Sequence, residues 1–164
     1  MHHRLLTVRK YVLAAILVGA VGACGPFCGN GKLNLSNPHI SPLSFTCPTA
    51  ASGLQYLMNI TVDADNQSSG KITIKSAATD ATVTKLNGTW GIPVGQKSGD
   101  QNVSFVPSSI ASGAKTTINL KTIWSCTNSV AAPNTYADFS LVLSLTTSAG
   151  KYSIKLPSHR LKMQ

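Results

Sequence analysis

From Leu54 to Asp63 the chain reads Leu-Gln-Tyr-Leu-Met-Asn-Ile-Thr-Val-Asp, with Leu54, Tyr56, Met58, Ile60 and Val62 at every second position. Gln55, Asn59, Thr61 and Asp63 fill most of the places between them, and Leu57 is the apolar exception. Side chains of a strand point alternately to its two faces, so this segment predicts a strand with one apolar and one wet face. Shorter runs repeat the pattern. Ile72 and Ile74 alternate within 71–76, while 81–86 is less regular and suits an edge strand before the Asn87-Gly88 turn. Trp90 is expected in the core, ahead of a long polar connection from Gly91 to Gln101. Val103 and Phe105 mark a short strand closed by Pro107, and Ile118, Leu120, Thr122 and Trp124 alternate inward. The clearest hairpin sets Phe139, Leu141, Leu143 and Leu145 against Tyr152, Ile154 and Leu156 across a turn at Ser148 to Gly150.

With Ser44 to Cys47 as a short first strand, seven to eight strands separated by turn residues predict an all-β, antiparallel β-sandwich. The absence of Glu and the wealth of Ser, Thr, Asn and Gly disfavour helix. The strand order resembles an immunoglobulin or fibronectin type III-like domain of the kind found in bacterial exported proteins, over residues 42 to 157. It lacks the mid-strand cysteines and intervening tryptophan of antibody domains. Tyr136, just ahead of the Phe139 strand, is either a tyrosine corner or a plain half-buried tyrosine.

The rest of the chain divides around that domain: a signal segment at 1–23, a flexible tether at 24–42, the sandwich at 43–157 and a basic tail at 158–164. Met1 to Lys10 is basic, Tyr11 to Val21 is apolar, and Gly22-Ala23 supplies small residues for cleavage, which is the order of a secretory signal. The apolar run falls short of the roughly 20 residues that span a bilayer as a helix. Pro38 and Pro42 discourage ladder pairing in the tether, and Pro157 is expected to end the last strand.

Val21-Gly22-Ala23-Cys24 resembles the lipobox of bacterial lipoproteins. That resemblance implies a diacylglyceryl thioether on Cys24, a membrane anchor and an extracytoplasmic location in the cell envelope. Ordinary cleavage after Ala23 remains the alternative, giving a freely secreted domain in which Cys24 could pair with Cys28. In the immunoglobulin-like order, the connections that hold Cys47 and Cys126 lie at the same end of the sandwich. A disulfide between them is therefore expected in an oxidising compartment.

Charge bounds the partners. The chain carries 14 Lys and Arg against 5 Asp, a formal +9. Lys71 and Lys75 flank the inward Ile72 and Ile74, and Lys151 and Lys155 occupy the outward positions of the last strand. In the immunoglobulin-like order these strands share a sheet, with the Phe139 strand between them. The four lysines then form an outer face suited to an anionic envelope polymer or glycan, or to lipid headgroups. Lysines on strands also resist edge-to-edge aggregation without any ligand. Another envelope protein is the further candidate partner. Nucleic acid is not expected of an exported chain without a stacking platform of aromatic and basic residues.

Candidate chemistry is sparse. His39 and His159 fall in the tether and the tail, where no nucleophile could be held against them, and no Gly-x-Ser-x-Gly or His-Glu-x-x-His motif occurs. No catalytic residue and no cofactor is expected. Asp63-x-Asp65-Asn66 offers hard oxygens on a loop, but the twelfth position of a calcium loop counted from Asp63 is Ile74 rather than Glu, so no metal is expected. A carbohydrate-active accessory domain is a further alternative. An enzyme of that class would need paired carboxylates about 5–9.5 Å apart, and the five Asp are scattered. A glycan-binding version would expose aromatics on one face, and Tyr56 and Phe139 are expected to point inward.

Overall fold

A computed structural model of the chain describes residues 32–48, 53–100, 103–126 and 132–164. Residues 1–23, expected to be a signal segment, the lipobox-like stretch ending at Cys24, and Cys28 lie outside the described residues.

Ten strands lie among the described residues: β1 (Leu33–Ser41), β2 (Ser44–Cys47), β3 (Leu54–Asn66), β4 (Ile72–Asn87), β5 (Lys97–Asp100), β6 (Ser104–Val106), β7 (Ser109–Ile110), β8 (Lys115–Cys126), β9 (Tyr136–Thr147) and β10 (Gly150–Met163). One sheet runs β1-β3-β8-β6 and the other β2-β10-β9-β4-β5, with β7 pairing to β4. Numbered in chain order, β1-β3-β8-β6 is the A-B-E-D sheet of an immunoglobulin-like domain, and β10-β9-β4 is its G-F-C sheet. Every pairing is antiparallel except that of β2, which runs parallel to β10. The fold is an immunoglobulin-like β-sandwich.

The alternation of β3 is what buries one of its faces. Met58, Ile60 and Val62 meet Ile118 and Leu120 of β8 and, across the layer gap, Leu141, Leu143 and Leu145 of β9, all essentially without solvent contact. Each such aliphatic side chain contributes about 1.5–3 kcal/mol by leaving water. Cys47 at the end of β2 and Cys126 at the end of β8 form the expected disulfide, which ties one sheet to the other.

Five expectations need correction: the Gly91–Gln101 connection contains a strand, β5, paired with β4, and of the other four a β-bulge underlies three. The tether contributes β1: its edge position tolerates proline, and an extra residue between Ser36 and His39 accommodates Asn37 (φ 48°) and Pro38. Segments 71–76 and 81–86 belong to one strand, β4, which lies between β9 and β5 and not at the edge. Register shifts at Ile74/Ser76 and Val83/Lys85 interrupt its alternation. The basic tail is the end of β10, which passes Pro157 through a bulge between Leu156 and His159. Finally, β3 runs on through Asn66, so the Asp63–Asn66 segment is strand and not loop.

Candidate functional site

The larger sheet carries the cations. β9 lies between β4 and β10, so the strands bearing the predicted lysines flank it as expected. Lys71 just before β4, Lys75 within it, and Lys151 and Lys155 on β10 are all exposed. Lys151 shares a cross-strand row with Thr146 and Ser76, beside Lys75. Ser148 of the β9–β10 turn accepts from the Thr73 amide, which brings the end of β4 near Lys71 to the same corner. Lys155 lies further along, in a row with Val142 and the exposed Asp80. The four residues thus form a corner cluster of three and one lysine with a carboxylate across from it.

Four further cations share this outer face, and the alternation in the sequence hid them. Lys97 on β5 stands in the row of Thr82 and Ser140. Lys162 pairs with Tyr136, and Arg160 and Lys85 both pair with Asp138. Arg160 donates to both carboxylate oxygens of Asp138, from Nε at 2.6 Å and from a terminal nitrogen at 2.8 Å. These bonds hold the Asp138 carboxyl below its ordinary range and raise the Arg160 guanidinium. The guanidinium also lies 4.1 Å from the ring centroid of Tyr136, with Lys85 Nζ at 6.0 Å. Tyr136 is therefore a half-buried ring of the outer face, packed by cations.

The two outer faces differ in charge. Among the described side chains of the larger sheet, eight cations accompany the carboxylates Asp80 and Asp138. The smaller sheet sets Lys115, Lys121 and Lys32, just before β1, against Asp63 and Asp65. There Asn37 donates to Asp63 at 2.9 Å and Thr117 at 2.8 Å, holding its carboxyl below the ordinary range, and Asp65 faces Lys115 at 3.6 Å. Asn66 points inward, donating to the carbonyls of Gly70, Ile110 and Ala111 and accepting from the amide and hydroxyl of Ser68. The Asp63-x-Asp65-Asn66 triad is thus split between two faces. No group of three or more His, Cys, Asp or Glu side chains converges among the described residues.

Sequence reasoning missed the buried polar centre. His159, placed in the tail by the proline argument, is fully buried on β10. Its Nδ1 lies 3.0 Å from the carbonyl of Pro42, which can only accept, so Nδ1 carries the proton. Nε2 then accepts from the Tyr56 hydroxyl at 2.7 Å. Burial lowers the His159 pKa and pushes the Tyr56 phenol well above its usual range, so both stay neutral. Trp124 meets His159 and Phe139 edge-on, and Phe45 stacks on Tyr56 at 4.0 Å. Both ring nitrogens of His159 are committed, and what the pair does chemically is tie β10, β3 and the β1–β2 connection together. His39 is exposed on β1. Both tryptophans are half-buried against the core.

No family profile and no curated protein matches the sequence. Solved structures of similar shape include a putative ApaA protein from Bordetella pertussis, at 15% identity and TM-score 0.39, covering 80% of this chain and 93% of that one. Another is AggA, the major subunit of aggregative adherence fimbriae type I from Escherichia coli, at 13% identity and TM-score 0.35, covering 80% and 95%. A third is an ASH/PapD-like domain of human CEP192, at 10% identity and TM-score 0.29, covering 99% and 96%. At these values the likenesses assign neither family nor activity, and the fold assignment rests on the strand order of the chain itself.

Proposed function

We propose that this protein is an exported, non-enzymatic binding module of the cell envelope, anchored through a lipid on Cys24, that engages an anionic envelope polymer with the outer face of its larger sheet. The observation that carries the polymer-binding part is the unequal charge of the two faces: among the described side chains eight cations and two carboxylates lie on the larger sheet, one of those carboxylates already held by Arg160, against three cations and two carboxylates on the smaller. A surface of that sign attracts polyanions through a field that salt screens over about 8 Å at physiological ionic strength. The lipobox-like Val21-Gly22-Ala23-Cys24 supports the anchor.

Two measurements test the two parts. Binding to an anionic wall polymer at rising salt should weaken steadily, and replacing Lys71, Lys75, Lys151 and Lys155 together by Gln should weaken it by about tenfold or more. Unchanged binding by that variant removes the lysine face from the proposal. Intact mass from the native host should show a diacylglyceryl-modified Cys24 in the membrane fraction. A lipid-free chain beginning at Cys24 would instead make the protein a freely secreted domain.

A further inference from the structure

The shape of the cationic face narrows the ligand class, and this step rests on the anion-binding proposal above. All six outward side chains of β9, from Tyr136 through Asp138, Ser140, Val142 and Ser144 to Thr146, are half-buried. Strands on both sides carry longer side chains: Lys75 and Lys85 on β4, and Lys151, Lys155, Arg160 and Lys162 on β10. The two cation-bearing strands stand two strand spacings apart, about 9–10 Å. β9 is thus the floor of a shallow trough, with Ser140, Ser144 and Thr146 offering hydroxyls and the flanking strands offering charge.

The trough runs nearly the whole length of β10. From Lys151 to Lys162 the strand covers about 33 Å, at a rise of about 3.3 Å per residue with one residue taken up by the bulge. Cations recur along it, at Lys151, Lys155, Arg160 and Lys162. Two carboxylates interrupt the pattern: Asp138 is held by Arg160, and Asp80 lies across Val142 from Lys155. A compact anion would use one end of such a surface and leave the other without a role. We propose that the ligand is an extended linear polyanion lying in the trough over β9, in contact with the Lys75/Lys151 corner and the Lys85/Lys162 end at once.

Polyphosphate fractions of increasing chain length test this on the protein purified from its native host, with inorganic phosphate as the shortest probe and phosphatidylglycerol vesicles as the membrane arm. Affinity should climb with length until the chain reaches both ends, then level off per chain. The double variant Lys85→Gln/Lys162→Gln should lose at most about twofold on short fractions, which keep the Lys75/Lys151 corner, and tenfold or more on long ones. Its circular dichroism should match that of the parent, since both side chains reach solvent. Equal affinity for short and long fractions, or long-chain binding untouched by the double variant, overturns the trough and leaves anion binding standing. Binding to vesicles alone overturns it in favour of a headgroup surface. No binding to any probe by the parent protein overturns the anion-binding proposal itself.

Discussion

The hydroxyl of Tyr56 on β3 donates to Nε2 of His159 on β10 at 2.7 Å, a bond between residues 103 positions apart that joins the two sheets through the core. The imidazole must be neutral to accept it. In the unfolded chain the same histidine titrates near its ordinary value of 6.5, while burial lowers its pKa in the fold. The unfolded state therefore takes up the proton first as pH falls. The histidine's contribution to stability is complete above about 6.5 and declines below it, towards the lower folded pKa. The urea midpoint should drop between pH 7.5 and pH 5, and His159→Phe should flatten that decline while lowering stability at neutral pH. A second loss belongs to Asp63 and Asp138, whose lowered pKa values place it below about 3.8. A midpoint that stays constant from pH 7.5 to 5 in the parent would contradict this account.

The Cys47–Cys126 disulfide closes a loop across 79 residues. The chain-entropy model assigns such a closure about 4.5 kcal/mol, drawn from the unfolded state. Cys47→Ala/Cys126→Ala should lose a stability of that order in equilibrium denaturation, and reducing agent should do the same to the parent while leaving the double variant unmoved.

Asn66 is buried, and its amide clamps the β3–β4 turn to the segment after β7. Asn66→Ala removes a donor from the carbonyls of Gly70, Ile110 and Ala111 and the acceptor of the Ser68 amide, while the Ser68 hydroxyl keeps the Gly70 carbonyl and Ala111 keeps the Ala114 amide, at a cost of about 3 kcal/mol. Faster amide exchange should follow at Ser68 in particular. Asn66→Asp keeps the acceptor but loses both amide donors, and should protect Ser68 while still destabilising the domain.

Gly88 carries a left-handed φ of 77°, and a β-carbon there would run into the Thr135 side chain at Cγ2. Gly88→Ala should destabilise by about 1–3 kcal/mol from backbone and contact together. Adding Thr135→Ser removes the obstructing methyl but keeps the hydroxyl that donates to Ala132. It should restore part of the loss, the remainder belonging to the backbone.

Where alternation ran unbroken, the fold was legible: 56–63, 118–122 and 139–145 take the faces their periodicity assigned, and Tyr56 and Phe139 point inward, while Leu54 at the start of β3 is exposed and Trp124 only half-buried. What broke the reading was the extra residue. Bulges in β1, β4 and β10 each reverse the sense of odd and even positions, and no hydrophobic period carries across them. Lys85, Arg160, Lys162 and His159 all lie beyond such a point. Asn66 was recoverable, because it continues the even-numbered inward series of Tyr56, Met58, Ile60, Val62 and Ala64. Its polarity argued for a turn, and the hydrogen bonds that let it be buried come from residues 44 and 45 positions away.

The bulge at Pro157-Ser158 has one more consequence, best stated as phase. Before it, odd positions of β10 such as Lys151 and Lys155 face outward; after it, the even positions Arg160 and Lys162 do. One inserted residue keeps the positive charges in step along a single side while their numbering falls out of step. Deleting Ser158 would swap the partners, turning His159, Leu161 and Met163 to solvent and driving Arg160 and Lys162 towards the core. The length of the chain at this point, more than the identity of any residue in it, decides whether the face is continuous.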